Sequence, residues 1–376
     1  MKQRTKLLLL IPHLGGGGAE QVTAQLVRHL DPQHFEIHLA LIAKDGHGAK
    51  PIPRWVRVHR LHRKRVRHAW FQLIRLIRAE PPDVILSGMA HLNFLLLLLK
   101  PFLPTRTRIL LRQNTTASAA TQTTFTRLLY RRLYPRADVV LCQSDAMATD
   151  LATNFGVERD KLKVVSNPIN VQAIRAASAS VSQSCWPAKA RPRLLYAGRL
   201  AAEKGLDLLL HAMREVQQQH PHLHLTILGA GPEEARLRQL SLKLNLETAV
   251  SFPGYKQNLS AFYAQATLFV LPSRYEGMPN ALLEAAAAGL PLAATPCSAG
   301  LSNLLQDAPG TWLAQSISAE SIASTILTAL AALTSSAHPE KELPQRFEHA
   351  FLAPFETRNA IAVYTALIES AAGAGK

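Results

Sequence analysis

The chain has 376 residues, which at about 150 residues per domain predicts two domains. Hydrophobic residues make up 48% and charged residues 18% of it, a balance that excludes a disordered protein. Three cysteines, an odd number with no C-x-x-C pair, exclude a disulfide framework and a zinc knuckle, so we expect a reducing, cytoplasmic compartment.

Positive charge is concentrated in the first half of the chain. The formal net charge is +16, of which residues 1–170 carry +15 and residues 171–376 carry +1. The segment 54–78 contains nine basic residues and no acidic one. Such a segment attracts anionic surfaces, and an anionic membrane face is the partner that we expect for it. Nucleic acid is the weaker rival, because the sequence contains no recognised nucleic-acid-binding module.

Apolar runs typical of strands alternate with amphipathic stretches typical of helices along the first 170 residues. We predict strands over 6–12, 35–43, 84–87, 109–111, 139–143 and 164–166, and helices over 19–30, 69–78 and 125–134. The first apolar run is too short for a signal peptide, and the longest, 92–99, is far short of the about 20 residues of a membrane-spanning helix. The alternation predicts a doubly wound, parallel α/β domain over 1–170.

A second series of the same kind follows a segment with no clear period. Residues 171–192 are rich in Ala, Ser and Gln and contain two prolines, so we interpret them as a linker. Beyond them we predict strands over 193–197, 224–228, 250–252, 268–271 and 292–295, and helices over 206–219, 232–245, 259–266 and 280–288. The fold class is therefore α/β, with two Rossmann-like domains that hold a ligand in a cleft at the carboxyl ends of their strands.

Four consecutive glycines, Gly15–Gly18, join the first predicted strand to the first predicted helix. Glycines at such a turn let the backbone approach a phosphate at the positive end of the helix, and a flexible turn is the structural alternative. A nicotinamide-binding G-x-G-x-x-G motif would need glycine at position 20, where Glu20 stands. A dehydrogenase is therefore disfavoured.

Two basic residues follow the first strand of the second predicted domain. Gly198-Arg199 ends that strand, and Lys204 comes five positions after the arginine, ahead of a helix. Two cations at the mouth of a parallel sheet can neutralise a diphosphate without a metal ion. Two solvated surface charges are the structural alternative.

The segment 272–284 joins a strand to a helix and places two acidic residues, Glu276 and Glu284, eight positions apart. Pro279 and Asn280 suit a helix start, so Glu276 is predicted in the loop and Glu284 near the second helical turn. Amides of the first turn would point at a bound phosphate. A carboxylate can accept two vicinal ribose hydroxyls, whereas complementing the helix dipole is the structural alternative for Glu284.

These motifs, taken in order along nearly the whole chain, resemble the retaining glycosyltransferases of family 4, which have the GT-B fold. The resemblance rests on Gly-Gly-Ala-Glu near the start, Asn167-Pro168-Ile169, Gly198-Arg199-Leu200 through Lys204-Gly205, Gly229-x-Gly231-Pro232, Val250-x-Phe252-x-Gly254, and Glu276-x7-Glu284. It implies domains over 1–170 on the acceptor side and 193–353 on the nucleotide-sugar side. Residues 354–376 would form a helix that crosses back to the first domain.

The resemblance also implies a role for each motif residue. Arg199 and Lys204 would clamp the donor diphosphate, Glu276 would grip the donor sugar, and Glu284 would hold the ribose. The remaining donor-binding positions implied are Gly17, Gly18, Gly198, Tyr255, Met278, Pro279, Asn280, Ala281 and Leu282. Where many members place a histidine after the strand 109–111, this chain has Arg112-Gln113-Asn114, so Gln113 or Asn114 would have to serve.

The implied reaction is transfer of a sugar from a nucleotide sugar, with uridine the expected base. Metal is expected to be unnecessary, since the sequence contains no Asp-x-Asp pair, and no other cofactor is predicted. In retaining members the leaving phosphate is thought to take the acceptor's proton, so no dedicated protein base is required. Where relatives often carry Pro-Ser-Gly-Pro, this chain reads Cys297-Ser298-Ala299-Gly300-Leu301, which leaves donor-sugar selection open. His91 is interpreted as a solvated loop residue.

The basic half of the chain would face the acceptor in this fold. Trp55, Trp70 and Phe71 interleave with the arginines, and Trp70, Leu73, Ile74 and Ile77 fall on one helical face. We hypothesise docking on an anionic inner membrane leaflet, with a glycan or lipid-linked acceptor as in lipopolysaccharide or surface polysaccharide assembly. The structural alternative is that this face packs on the sheet. Nucleotide-sugar epimerases, sugar phosphorylases and a non-catalytic carbohydrate-binding relative share the architecture and remain functional alternatives.

Overall fold

A computed structural model of the chain describes residues 4–15, 17–43, 51–121, 123–181, 185–187, 190–335 and 345–375. The chain divides into two units. The N-terminal unit combines residues 1–168 with residues 354–376, and the second unit spans residues 169–353. Each contains a parallel sheet with helices, which confirms the predicted fold class.

The N-terminal unit is built on parallel strands of apolar sequence. Within its described residues these strands are β1 (Thr5–Ile11), β2 (Phe35–Leu41), β3 (Arg57–Arg60), β4 (Val84–Ser87), β5 (Arg108–Arg112), β6 (Val139–Cys142) and β7 (Leu162–Val164). They lie in the order β3-β2-β1-β4-β5-β6-β7. Strand β1 is central, and Leu7 to Leu10 are buried on both faces, as expected of a parallel strand covered by helices. The order reverses between β1 and β4.

Helices cover both faces of this sheet. They are α1 (Gly18–His29), α2 (Trp70–Ala79), α3 (Ala90–Leu99), α4 (Ala117–Ala120), α5 (Thr124–Leu133), α6 (Asp145–Phe155) and the C-terminal α14 (Thr357–Gly373). Helix α14 packs into the N-terminal unit, where Tyr364 and Ile368 are fully buried beside Leu7 and Leu26. The Arg112 Nε donates a hydrogen bond of 3.2 Å to the Tyr364 hydroxyl, which ties the end of the chain to β5.

The second unit repeats the architecture. Its strands are β8 (Arg193–Ala197), β9 (His224–Leu228), β10 (Val250–Gly254), β11 (Leu268–Leu271), β12 (Leu292–Ala294) and β13 (Thr311–Leu313), in the order β10-β9-β8-β11-β12-β13. Its helices are α7 (Val171–Ala179), α8 (Leu206–Gln219), α9 (Glu234–Lys243), α10 (Ser260–Gln265), α11 (Asn280–Ala287), α12 (Ala299–Leu305) and α13 (Ala319–Ser335). Here the order reverses between β8 and β11, which are direct neighbours.

Two segments differ from the prediction. The segment 171–192, expected as a linker, begins with helix α7, because the Asn170 side chain caps it by accepting from the Ala173 amide at 2.9 Å and alanine favours helix without an apolar period. The last strand of the first sheet covers 162–164 rather than 164–166. The apolar run 92–99 lies in α3, where Leu92, Leu96 and Leu97 are fully buried.

The helical face that was predicted to dock on a membrane is divided between core and surface. Leu73 and Ile77 have no exposed area and pack in the core of the N-terminal unit. Trp70, Phe71 and Trp55 are 50%, 59% and 53% exposed. Among the helices in the described ranges, none has both the length and the apolarity that crossing a bilayer requires.

Candidate functional site

The predicted donor residues of the second unit follow two adjacent strands, β8 and β11, at the point where the strand order reverses. From β8 the chain goes on to β9 and β10 on one side, and from β11 to β12 and β13 on the other. The loops that leave the carboxyl ends of two such strands diverge, and the crevice between them is where open α/β sheets bind ligands. Arg199 and Lys204 lie in the first loop, and Glu276 lies in the second.

Glycines hold the loop after β8 against the loop after β9. Gly229 has a φ of 136°, and a Cβ there would lie 1.8 Å from the Gly198 carbonyl oxygen. A Cβ on Gly231 would lie 2.2 Å from the Leu200 oxygen. The Leu200 amide also donates to the Ala230 oxygen at 3.0 Å. Backbone therefore packs directly on backbone at this edge of the sheet, which explains the Gly-x-Gly motif by close approach.

The loop after β8 is also fastened to the loop after β11. Gly205 adopts the left-handed conformation, with a φ of 63°, and a Cβ there would lie 2.1 Å from the Pro272 oxygen. The Arg274 guanidinium pairs in bidentate fashion with Asp207, at 2.8 and 2.7 Å, and the Arg274 amide donates to the Glu203 oxygen at 2.8 Å. Bidentate arginine–carboxylate pairs fix orientation as well as distance. Arg274 and Asp207 are positioning residues that the motif analysis did not identify.

This arrangement brings Lys204 and Glu276 together. The Lys204 Nζ lies 2.6 Å from Glu276 Oε1, with side chains 20% and 9% exposed. The Ser273 hydroxyl donates to the same oxygen at 2.8 Å, and the Thr295 hydroxyl donates to the Ser273 carbonyl oxygen at 2.5 Å. The ammonium and the hydroxyl, both on one oxygen of a largely buried carboxylate, fix the direction of the Glu276 side chain. The sequence does not identify Ser273 and Thr295 as members of the site, because single serines and threonines form no recognisable motif.

The Glu276 carboxylate affects neighbouring titratable groups. Burial and the negative charge of Glu276 raise the pKa of the Cys297 thiol to about 12. Burial, followed by the charges of Glu276 and Glu203, raises the pKa of the Tyr196 hydroxyl well above its usual value. Both groups stay neutral at physiological pH, so neither is suited to act there as an ionised nucleophile.

Helix α11 begins beside this pair, as the sequence predicts. It starts at Asn280, directly after Pro279, and Asn280 is 9% exposed. Glu284, one turn further along, accepts a hydrogen bond of 3.1 Å from the buried Tyr263 hydroxyl. That bond fixes one carboxylate oxygen of Glu284. The Ser298 hydroxyl donates to the Gly277 oxygen at 3.3 Å, which ties the loop before α11 to the start of α12.

The other predicted donor residues of the second unit lie around these loops. The Arg199 side chain is exposed, while its carbonyl accepts from the Tyr196 hydroxyl at 3.1 Å. Tyr255 follows β10 and is 46% exposed. Met278, Pro279 and Leu282 are buried, whereas Gly198 and Ala281 are partly exposed. Buried residues in this set can offer a ligand backbone groups, and exposed Arg199 and Tyr255 can offer side chains.

The predicted phosphate-binding glycines of the N-terminal unit lie at the start of α1. Gly17 precedes the first residue of α1, Gly18, and both are exposed. A Cβ on Gly17 would lie 2.4 Å from Glu20 Oε2, so this turn leaves room for the buried Glu20 carboxylate.

Gln113 and Asn114 stand where the resemblance implies a histidine. Gln113 is buried, and its amide donates to the Tyr130 hydroxyl at 3.1 Å and accepts from the Tyr134 hydroxyl at 2.7 Å. Asn114 accepts from Arg112 and donates to the Gly88 oxygen. Both side chains are committed to hydrogen bonds within the N-terminal unit, and Asn114 is the more exposed of the two.

His91 lies in the first turn of α3 rather than in a loop. Its partial removal from water and the charge of His13 lower its pKa, so its imidazole is neutral at pH 7. Among the described residues, the trio of side chains close enough to share a metal ion is His38, His59 and Glu80, in the N-terminal unit. Within that same part of the chain no such trio lies in the loops after β8 and β11.

Comparisons with known proteins match both units to glycosyltransferases. Residues 191–332 match the family described as Glycosyl transferases group 1, and residues 16–173 match Glycosyltransferase Family 4. A putative colanic acid biosynthesis glycosyltransferase of Escherichia coli is 32% identical over 202 residues, 52% of this chain and 48% of that protein.

A second relative, from Campylobacter jejuni, matches more of the chain. This N-acetylgalactosamine-N,N'-diacetylbacillosaminyl-diphospho-undecaprenol 4-alpha-N-acetylgalactosaminyltransferase is 27% identical over 323 residues, 80% of this chain and 84% of the relative. Three curated relatives, of which the Escherichia coli protein is the third, are matched over 61%, 32% and 48% of their own length, less than two thirds in each case.

Among solved structures, Anabaena Alr3699/HepE in complex with UDP and glucose has a TM-score of 0.80 and 17% identity. The similarity covers 98% of this chain and all of that one. At this identity the likeness establishes the fold, over nearly all of the chain.

Proposed function

The chain belongs to the family 4, group 1 glycosyltransferases, and from that premise we propose that it is a retaining enzyme that transfers a sugar from a UDP-sugar to a membrane-associated glycan or lipid acceptor. The observation that carries the proposal is the Lys204–Glu276 pair, held at the strand-order reversal beside the start of α11. The chemistry of each residue follows from what the reaction requires.

Sugar transfer releases a nucleoside diphosphate whose negative charge grows as the bond to the sugar breaks. Lys204, Arg199 and the first amides of α11 supply positive charge at the loops where a donor would lie. Preorganised charge of this kind lowers the barrier because it requires no rearrangement in the transition state, and one lost contact costs on the order of 3 kcal/mol. The Arg274–Asp207 clamp provides that preorganisation by fixing the Lys204 loop.

Glu276 is proposed to bind a hydroxyl of the donor sugar. Ser273 and Lys204 both contact its Oε1 in the structure, which leaves Oε2 as the acceptor for an incoming hydroxyl. When the donor binds, Lys204 would contact both the diphosphate and Glu276. Its ammonium would then lie between two anions and interact with both. Uncompensated charge in this buried site is thereby avoided.

Glu284 and Tyr255 are proposed to hold the nucleoside. The Tyr263 hydroxyl orients the Glu284 carboxylate, which is proposed to accept from the ribose hydroxyls. Tyr255, exposed after Gly254, is placed to offer its backbone to the base. The similar Anabaena structure contains UDP and glucose, which supports uridine as the base.

The transfer is proposed to proceed on one face of the sugar. The bond from the anomeric carbon to the diphosphate oxygen breaks, and a bond to the acceptor oxygen forms on the same side. The acceptor's proton passes to the departing phosphate oxygen, so the protein need not supply a base. The high pKa values of Cys297 and Tyr196 agree with this, because neither is ionised to serve as one.

A membrane-associated acceptor is supported by charge and by relatives. The Campylobacter jejuni relative is named for an acceptor linked through a diphosphate to undecaprenol, and the Escherichia coli relative for colanic acid biosynthesis. Segment 54–78 carries nine basic residues, and Trp55, Trp70 and Phe71 are exposed within it. Exposed aromatics among cations favour an anionic membrane surface.

The decisive test is the Glu276→Gln variant with a panel of nucleotide sugars. Glutamine keeps the shape and a hydrogen bond to Ser273, but removes the charge that holds Lys204. We expect UDP binding within about threefold of the unaltered chain and sugar transfer or donor hydrolysis lowered about a hundredfold, the effect of one lost charged contact. Glu215→Gln, at an exposed position on α8, is the matched control and should leave both unchanged. Full turnover in Glu276→Gln would contradict the assigned role.

A further inference from the structure

Two histidines and a glutamate lie together at one edge of the N-terminal sheet. His38 is in β2, His59 is in β3, the strand at that edge, and Glu80 follows the last residue of α2. Ala40 of β2 lies opposite His59, and it packs in the same core as α2. Because side chains alternate along a strand, the His38 side chain lies on the same face as Ala40. One ligand atom of each residue lies within 4.8 Å of the other two.

The distances between these atoms suit a tetrahedral metal ion. His38 Nδ1 lies 3.0 Å from His59 Nε2 and 3.6 Å from Glu80 Oε2. Bonds of about 2.0–2.1 Å at a tetrahedral zinc ion place neighbouring ligand atoms about 3.3–3.4 Å apart. The two distances lie on either side of that spacing, so each needs to change by only a few tenths of an ångström. The Glu80 side chain is 25% exposed at the end of a helix, which leaves it free to rotate toward His59.

The two imidazole rings present their nitrogen edges to one another. Their centroids are 5.1 Å apart and their planes differ by 22°. Since the centroids are about 2 Å further apart than the nitrogens, both nitrogens lie close to the line between the ring centres. One ring therefore donates an N–H to the lone pair of the other. A metal ion would replace this hydrogen bond and bind a lone pair of each ring.

Glu36 fixes the tautomer of His38. The Glu36 Oε1 lies 2.9 Å from His38 Nε2, and that hydrogen bond lowers the pKa of the Glu36 carboxyl, which is therefore ionised at pH 7. An ionised carboxylate only accepts, so His38 carries a proton on Nε2. In the neutral ring, the Nδ1 lone pair then faces His59 and Glu80. Histidines that bind metals commonly donate their other ring N–H to a carboxylate in this way.

His59 is in the protonation state that a metal ion requires. Burial, followed by the charge of His38, lowers the pKa of its imidazole, so the ring is neutral at pH 7. Neutral imidazole is the form that binds metals. With the His38 lone pair at Nδ1, the hydrogen bond between the rings is donated by His59 Nε2. Metal binding then requires the His59 proton to move from Nε2 to Nδ1, with no net loss of a proton.

Two cations lie near these carboxylates. The Arg57 Nη1 lies 2.7 Å from Glu80 Oε2, and the Arg57 side chain is 61% exposed. The Lys6 Nζ lies 3.9 Å from Glu36 Oε1. Exposed ion pairs contribute little stability because water solvates both partners, so a metal ion can compete with Arg57 for the Glu80 carboxylate. Two carboxylates here balance two cations, although residues 1–170 carry a net charge of +15.

We propose that His38, His59 and Glu80 bind a divalent transition-metal ion of the Zn²⁺ type, with a water molecule as the fourth ligand. Two imidazoles and one carboxylate are ligands that zinc takes, whereas Mg²⁺ and Ca²⁺ take oxygen ligands. The ion would join the edge strand β3 to β2 and to the end of α2, and so stabilise the N-terminal unit. The inference goes beyond the proposed function, because no step of the proposed transfer uses this ion.

The test measures Zn²⁺ binding by calorimetry to the untagged, full-length protein after dialysis against a chelator. The unaltered chain is compared with His59→Gln and Glu80→Gln, which avoid a substitution at buried His38. The matched control is His34→Gln. His34 lies in the same unit and pairs with Glu369 at 3.4 Å, so the control removes an exposed histidine that also has a carboxylate neighbour.

We expect one Zn²⁺ site in the unaltered chain. Binding should weaken at least about tenfold in His59→Gln and in Glu80→Gln, and it should stay within about twofold in His34→Gln. Zn²⁺ should raise the midpoint of thermal unfolding of the unaltered chain and the control more than that of the other two variants, because an ion that binds the folded state stabilises it. Absence of a one-to-one site, or equal weakening in all three variants, overturns the proposal.

Two further measurements do not depend on removing a ligand. Four-coordinate Co²⁺ absorbs visible light much more strongly than aqueous Co²⁺, so one equivalent should give a strong band with the unaltered chain, and Zn²⁺ should abolish it. Arg57→Gln removes the cation that competes for Glu80 and should bind Zn²⁺ at least as tightly as the unaltered chain. A Co²⁺ spectrum no stronger than that of the aqueous ion, or weaker Zn²⁺ binding in Arg57→Gln, would contradict the assignment.

Discussion

Gly205→Ala should displace the loops after β8 and β11 from one another, in addition to straining the backbone at residue 205. Gly205 lies between Lys204 and α8 in the left-handed conformation, and a Cβ there would lie 2.1 Å from the Pro272 oxygen. Gly205→Ala therefore carries two costs. One is the left-handed conformation of a non-glycine residue, and the other is the displacement of a backbone carbonyl in the loop that carries Glu276.

The two costs can be estimated separately. The left-handed conformation costs about 1–2 kcal/mol for an alanine. Ordinary contact between carbon and its neighbours begins near 3.5 Å, so the Pro272 oxygen must move by more than about 1 Å, and crowding of this kind costs about 1–3 kcal/mol. Together we expect a loss of about 2–5 kcal/mol in the free energy of unfolding of the second unit. Because Lys204 and Glu276 lie in the two loops forced apart, transfer activity should fall even in protein that remains folded.

The chain supplies matched controls for each cost. Gly254, in the same unit, has a φ of 79° and no atom within 4 Å of its Cβ position, so Gly254→Ala should lose about 1–2 kcal/mol. Gly156, with a φ of 70° and equally open space in the N-terminal unit, serves as the activity control. Urea unfolding measures stability, and donor hydrolysis below the unfolding transition measures activity. Equal destabilisation by Gly205→Ala and Gly254→Ala would refute the clash between the loops.

Three other outcomes follow from the structure. Lys204→Met should lower donor turnover about a hundredfold, since in the proposed reaction Lys204 makes one charged contact to the leaving group. Steady-state kinetics with a control at exposed Lys243→Met checks this, and loss in both variants would count against a specific role. Full-length protein should co-sediment with phosphatidylglycerol vesicles at low salt and be released at high salt, and Trp70→Ala with Phe71→Ala should weaken that binding; absence of binding at any salt concentration removes the membrane proposal. In native protein at pH 8, iodoacetamide should modify exposed Cys185 and spare Cys142 and Cys297, because burial raises the pKa of both buried thiols to about 12 and leaves about one part in ten thousand as thiolate. Alkylation of Cys185 should accelerate as the pH rises, since its pKa is raised too; rapid alkylation of all three cysteines would contradict their burial.

The sequence predicts the strands and the positions of the motifs because both depend on local pattern. Buried parallel strands appear as apolar runs, and glycine, proline and charge at their carboxyl ends mark the loops that bind ligands. The glycines at 198, 205, 229 and 231 could be identified from the motif alone, although the carbonyl that each one approaches becomes visible only when the strand order is known.

Contacts between distant parts of the chain could not be predicted in this way. Arg274 and Asp207 are 67 positions apart, and nothing in their spacing identifies them as partners. Gln113 looks like a substitute for a site histidine in the motif, but in the fold it hydrogen-bonds to Tyr130 and Tyr134 in the core. The apolar face of α2 was predicted as one surface, but in the fold part of it packs in the core of the N-terminal unit and part is exposed. Apolar periodicity shows that a helix has such a face, and it does not show which neighbouring elements cover it.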